Sequence, residues 1–188
     1  MSTFDIRREG NLTVQDHEDI TRMLALSFPS YATGFHGTAS WSGMQPETRI
    51  TASDGAGIAA HAGVKRLFVQ TGDSSFANDQ LVGAVGMVSV RPDLQGTGLG
   101  GALAAAIRGV LDDMAVPFGL LETGAETSGY YERHGWHPLP GTVGSYNGFA
   151  IEEPARVVRG HTGWLVLPVA SPLEDWPQGD IRWNGQMV

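Results

Sequence analysis

The stretch VSVRPDLQGTGLGGAL, Val88–Leu103, concentrates the residue types best suited to holding an anion. A β-branched run ends at Arg91 and Pro92, a glycine cluster follows, and an alanine-rich segment begins. Successive backbone N–H groups at a helix start, with glycines that let a bulky ligand approach, make a phosphate cradle that the helix dipole reinforces. Three phosphate chemistries use such a loop. A nucleotide-hydrolysing P-loop needs Lys and then Ser or Thr after its last glycine, but Gly101 is followed by Ala102 and Leu103. A dinucleotide site is matched by letter, because Gly96-Thr97-Gly98-Leu99-Gly100-Gly101 satisfies G-x-G-x-x-G and Glu122 stands about twenty residues beyond it. Against that reading, RPDLQ separates the strand from its first glycine, and the chain offers one parallel crossover rather than repeated βαβ units. The third chemistry, a pyrophosphate on a helix N-terminus, needs only the order strand, Arg91, short turn, Gln95-x-x-Gly98-x-Gly100, helix. The alternative without any ligand is a glycine-rich turn before a core helix. The six histidines show no H-x-x-x-H spacing, so no metal site is expected.

The elements that must position this loop follow from periodicity and turn residues. FDIRREG predicts a short first strand, and TVQDHEDITRMLALSF a helix capped by Thr13 or Asp16, with Ile20, Met23, Leu24 and Phe28 on one face. PSYATGFHGTASWSGMQPE is too long for a simple turn and reads as a functional loop. Two antiparallel strands turn at Asp54-Gly55, the second running to Gln70, and QLVGAVGMVSV is a third. GTGLGGALAAAIRGVLDDMA is a helix, PFGLLET a strand, SGYYERHG a short helix stopped by Gly135, and TGWLVLPV a late strand. The tail EDWPQGDIRWNGQMV is irregular, but its two tryptophans predict that it packs. The order implies an α+β sandwich, antiparallel early, with one parallel crossover.

Bulk properties bound the function. A chain of 188 residues with 41% hydrophobic and 17% charged residues is expected to be one globular domain, 1–188. No apolar run is long enough to cross a bilayer, and the N-terminal segment MSTFDIRREG lacks a signal-peptide pattern. The absence of cysteine makes a reducing cytoplasm the expected compartment. A net charge of −8 argues against nucleic acid and anionic membranes as partners and is compatible with a cationic small molecule.

Val88, Val90, Arg91, Gln95, Gly98 and Gly100 resemble the donor motif of the GNAT superfamily of N-acetyltransferases, Q/R-x-x-G-x-G/A after an apolar strand. GYYERHGW resembles the downstream motif of that superfamily, and together the likeness covers most of the chain. It implies a mixed, mostly antiparallel sheet with a splayed parallel pair, GMVSV and PFGLLET, and flanking helices. It implies acetyl-CoA as the acyl donor. The pantetheine arm would pair with Val88 and Val90, and a backbone N–H near Val88 would polarise the thioester carbonyl. The pyrophosphate would lie on the N–H groups of Gln95, Gly96, Thr97, Gly98, Leu99, Gly100 and Gly101. Arg91 either faces the phosphates or pairs with Asp93. The reaction is attack of a neutral amine on the thioester. Tyr131 stands where the superfamily often carries its general acid, and a phenol of pKa about 10 can protonate a thiolate; the alternative is that Tyr130 and Tyr131 pack the core. Glu122, at the end of the second splayed strand, is a candidate base beside a water chain. His61 reads as a hydrogen-bonded sheet histidine, and His134 and His137 as packing or surface residues.

The acceptor is read from other segments. FPSYATGFHGTASWSGM, GIAAHAGV and DWPQGDIRW resemble aminoglycoside 2'-N-acetyltransferases, especially those acting on kasugamycin. That likeness implies an antibiotic-resistance enzyme whose tail, from about residue 170 to 188, closes over a cationic aminosugar. Asp180 would pair with its ammonium and Trp183 would cover its apolar face, with Arg182 as an extra residue between the two. His36, Trp41 and Glu47 are the acceptor-side candidates from the long loop. VRPDLQG, VPFG, RHG, LPV, WPQG and RWNG also resemble the nodulation N-acyltransferases, which place a fatty acyl chain on a glucosamine oligomer. A fatty donor on an acidic carrier calls for a basic docking patch, and the 12 Lys and Arg of the chain form no cluster larger than a pair such as Lys65-Arg66. The expectation is therefore an acetyl-CoA-dependent aminoglycoside 2'-N-acetyltransferase. The alternatives are a long-chain N-acyltransferase and a non-catalytic acyl-CoA sensor. Relatives often dimerise, so a homodimer is consistent with the resemblance.

Overall fold

The computed structural model describes residues 3–41, 43, 45–73, 78–148, 156–160 and 163–187. Parts of two expected elements, the long loop at Ser42 and Met44 and the late strand at Thr162, lie outside the described residues. The chain forms two compact units.

The first unit holds residues up to Lys65 and Val85–Gly109. Strand β1, Asp5–Arg8, pairs antiparallel with β2, Thr48–Asp54, in the register Asp5–Thr51 to Arg8–Thr48. β2 turns at Gly55-Ala56 into β3, Gly57–Gly72, which contributes its Gly57–Lys65 portion here. The Asp54 carboxylate accepts the Ala56 N–H at 2.8 Å, a local bond that closes the turn. Helix α1, Val14–Ser27, starts with a capping box: Thr13 Oγ1 accepts from the Asp16 N–H, and the Asp16 carboxylate accepts from the Thr13 N–H. α1 buries Ile20, Met23 and Leu24 against Phe35 and Met87, as its periodicity requires. A short 3₁₀ turn, Pro29–Gly34, opens the long loop.

The second unit holds Arg66–Ala84 and Val110–Met187. Strand β4, Asn78–Val90, contributes its Asn78–Ala84 portion here and pairs in parallel with β5, Phe118–Glu122: Val82–Phe118, Gly83–Gly119, Ala84–Leu120. β5 is buried from Phe118 to Leu121, as a strand covered on both faces must be. Gly83 and Gly119 exist to admit Leu111. A Cβ would lie 2.2 Å from a Leu111 methyl at Gly83 and 2.9 Å from one at Gly119. Leu111 belongs to helix α2, Leu99–Asp113. Helix α3, Ala125–Glu132, precedes β6, His137–Pro138, β7, Gly144–Asn147, β8, Val157–Gly160, β9, Trp164–Pro168, and β10, Asp180–Arg182. The strand order is β6-β9-β5-β4-β3-β10-β7-β8.

The expected fold class, a mixed sheet with flanking helices, is what the chain adopts. The differences lie in the C-terminal third. The tail is not irregular: β10 pairs antiparallel with β3 (Asp180–Gly72) and parallel with β7 (Ile181–Gly144). α2 starts at Leu99, because Gly96 and Gly98 take positive φ and cannot continue a helix.

Candidate active site

The expected donor loop lies in the first unit. After β4 the chain makes a 3₁₀ turn at Pro92–Leu94, then Gly96 at φ +77° and Gly98 at φ +89°. No atom lies within 4 Å of a Cβ placed on either glycine, so conformation fixes these residues and the space above them is open. The first helical bond runs from the Ala102 N–H to the Gly98 carbonyl at 3.2 Å. α1 and α3 carry an acidic residue in their first turn, Asp16 and Glu126, and α2 carries none. The positive end of α2 is thus not neutralised by a carboxylate of its own. These features fit a diphosphate.

Arg91 is held by two carboxylates. Its Nε donates to Asp93 at 2.7 Å and Nη2 to Asp54 at 2.6 Å, while Nη1 reaches Asp54 at 3.0 Å and the Ile58 carbonyl at 3.3 Å. The guanidinium lowers the Asp54 carboxyl to about 2, assisted by the Ala56 N–H. Of the two expected roles, the geometry shows the ion pair, extended to Asp54, and it ties the start of the loop to the β2–β3 turn.

Beneath β4 lies a buried polar network that the sequence did not announce. Arg49 on β2 is 1% exposed and spends all five N–H donors. Nε and Nη2 grip Glu9 at 2.6 and 3.1 Å; Nη1 donates to the Ser40 carbonyl at 2.8 Å and to His61 Nε2 at 3.0 Å; Nη2 also reaches Ser40 Oγ at 3.2 Å. His61 on β3 is fully buried, and its Nδ1 lies 2.8 Å from the Met87 carbonyl oxygen. Burial, with the Arg49 charge beside it, pushes the imidazole down to about 3, so it is neutral. The expectation of a hydrogen-bonded sheet histidine holds. The available signal for the network was an arginine inside the alternating apolar run TRITASD.

The loop candidates on the acceptor side are partly engaged. Glu47 pairs with Arg8 at 2.9 Å. Trp41 stands edge-on to His17 at 5.7 Å and packs against the α1 core. His36 is exposed and lines an open cleft of about 520 Å³ with Thr21, Arg22, Leu26 and Phe35.

In the second unit, Tyr131 is the inward-facing tyrosine of α3, 8% exposed, between Tyr130 and Trp136 at 4.9 and 5.9 Å. Burial, and then Tyr130, hold its phenol above the ordinary value, so it stays protonated. Glu122 ends β5, half-buried, and burial raises its carboxyl. A Cβ on Gly160 would lie 2.7 Å from Glu122 Oε1, so that glycine admits the carboxylate. Asp180 accepts the Val143 N–H at 3.0 Å. Trp183 is 3% exposed, and its Nε1 donates to the Gln186 carbonyl at 3.0 Å. Each tail residue thus makes a hydrogen bond within the chain, Trp183 buried and Asp180 part-exposed.

The family model for Nodulation protein A (NodA) matches residues 2–188. The chain belongs to the NodA family. Among its relatives, Nodulation protein A of Rhizobium tropici is 32% identical, with 92% of this chain and 90% of the relative covered. That of Bradyrhizobium sp. (strain NC92) is 36% identical, with 94% and 86% covered. Solved structures give the same fold. A GNAT family N-acetyltransferase (YhbS) from Escherichia coli in complex with CoA superposes with a TM-score of 0.62 at 16% identity, over 97% of this chain and 91% of that one. A GNAT family acetyltransferase from Brucella melitensis in complex with acetyl-CoA gives 0.57 at 20% identity, over 97% of each chain. The fold expected from the loop is therefore the one these structures share. Of the two acceptor resemblances, these relatives favour the nodulation N-acyltransferases over the aminoglycoside enzymes. Among the described residues no helix is long and apolar enough to cross a membrane, and no cluster of three metal-ligating side chains occurs.

Proposed function

We propose that the protein is an N-acyltransferase that moves an acyl group from an acyl-CoA to an amino group of a glucosamine-containing oligosaccharide. The observation that carries this is membership of the NodA family across residues 2–188. The donor side is supported by the open glycine loop before α2, whose first turn carries no acidic residue. Bound acyl-CoA supplies an activated thioester. The chain's own parts then have distinct tasks. The α2 N-terminus and the Gly96–Gly101 backbone bind the diphosphate. The Val88 N–H donates to the thioester carbonyl oxygen as negative charge develops there. The acceptor amine forms the C–N bond, the C–S bond breaks, and the amine's proton leaves to Glu122, whose raised pKa makes it a stronger base than an exposed carboxylate. Tyr131, held as a phenol until then, gives its proton to the leaving thiolate. Arg91 anchors the loop rather than the phosphates.

The alternative aminoglycoside reading rests on likeness in three segments, of which the tail holds Asp180 and Trp183, each hydrogen-bonded within the chain. A side-by-side screen separates the two. Acetyl-CoA and a long-chain acyl-CoA are each offered a partly deacetylated glucosamine oligomer, kasugamycin and a broad-spectrum aminoglycoside, and free thiol is followed. Thiol release that depends on the glucosamine oligomer is expected. Release with kasugamycin alone would overturn the proposal.

A further inference from the structure

Met87 sits in the middle of β4 with φ +52°, a left-handed conformation that a residue with a side chain adopts only when its surroundings enforce it. Its carbonyl oxygen faces the buried His61 Nδ1 at 2.8 Å. The proton positions on this ring are dictated by its other neighbour. Arg49 is a donor without acceptors, so His61 Nε2 must accept from Nη1, and the proton of the neutral ring must lie on Nδ1. His61 therefore donates to Met87 O. Arg49 cannot turn away to release it, since Glu9 and Ser40 accept its remaining donors.

The Met87 carbonyl and the Val88 N–H are the two ends of one peptide plane. That peptide is trans, as no cis bond occurs among the described residues, so the two groups point in opposite directions. Whatever fixes the carbonyl also aims the N–H. We infer that His61 is a positioning residue for acyl transfer: held by Arg49 and Glu9, it pins the Met87 carbonyl so that the Val88 N–H points away from β3 toward the thioester oxygen. This rests on the function proposed above, which gives the Val88 N–H its task. A donor on the carbonyl also polarises the amide and strengthens the N–H as a donor, because linked hydrogen bonds reinforce one another. The arrangement holds a dipole ready before substrate arrives, the condition under which an oxyanion donor is most effective.

The test compares His61→Leu, which removes the donor, with His61→Asn, whose amide nitrogen stands as far from Cβ as Nδ1 does and can donate to Met87 O. Steady-state constants for acyl-CoA are measured together with the Val88 amide resonance of the free protein. The Leu variant should lower kcat by ~10–100-fold, short of the ~100–1,000-fold for loss of an oxyanion donor itself. Its KM for acyl-CoA should stay within about twofold, since the contact acts on the transition state. The Val88 amide resonance should move. The Asn variant should recover kcat to within about threefold of the parent and return the Val88 resonance toward its position. An unchanged kcat in the Leu variant, or an Asn variant no faster than Leu, overturns the inference. If His61→Leu does not fold, His61→Gln replaces it, because its longer amide meets Arg49 and leaves Met87 O without a donor. A parent protein that transfers no acyl group from any CoA thioester overturns the proposed function, and this inference with it. An active parent with indifferent His61 variants overturns this inference alone.

Discussion

Burial decides what the titratable side chains can contribute. Glu122 is half out of water, which disfavours its charge and moves its proton affinity upward. As a base it works only when deprotonated, so kcat should rise with pH through a midpoint above the ordinary glutamate value of about 4.3. Glu122→Gln should remove that limb and lower kcat by ~100-fold, while Tyr131→Phe should lower kcat and leave the limb in place. A pH–rate profile checks both, and a Glu122→Gln enzyme with the parental limb would exclude Glu122 as the base. At this scale the sequence was readable where a residue sits in a regular element. Tyr131 turned inward because one of two adjacent tyrosines on a helix must, and His61 was buried because it alternates with alanines in GIAAHAGV. What Asp180 and Trp183 meet inside the chain was not readable, because nothing in an aperiodic tail shows whether a carboxylate or an indole meets solvent or a backbone group. Val143 N–H and Gln186 O, their actual partners, are unremarkable letters in the sequence.

Elements built from strong local signals were legible, and those created by distant pairing were not. β4, α2 and β5 follow from an apolar β-branched run, an alanine-rich periodic segment and a short apolar run after Pro117. β7, β8 and β10 are three to four residues each, polar and glycine-containing or nearly so, and become strands only because a neighbour supplies their hydrogen bonds. The loop before α2 shows the same split: its glycines were visible, but the capture of Arg91 by Asp54, 37 residues away, was not. Gly98→Ala tests the loop as an element. At φ +89° an added Cβ costs roughly 1–2 kcal/mol of backbone strain. Since the space around it is empty, the fold should survive while the cradle deforms. A calorimetric titration with CoA should show affinity reduced by about tenfold with a melting temperature within a few degrees of the parent. Unchanged affinity would place the diphosphate elsewhere.

For the whole molecule, composition bears on classes of partner rather than on a particular one. The net charge of −8 and the scarcity of Lys and Arg spoke against nucleic acid and, at first, for the smaller acyl donor and a cationic drug. Charge is a property of the surface, whereas the acceptor is chosen by a few side chains, and the sugar oligomer proposed above rests on family membership along residues 2–188. The proposed function thus comes down to one bond: an amide between an acyl group and a glucosamine nitrogen. Its most direct test is mass spectrometry with fragmentation of a glucosamine oligomer incubated with the protein and acyl-CoA. A single acyl group carried on an amino nitrogen of one sugar unit is expected. An oligomer that stays unmodified while kasugamycin in the same mixture gains an acetyl group would contradict it.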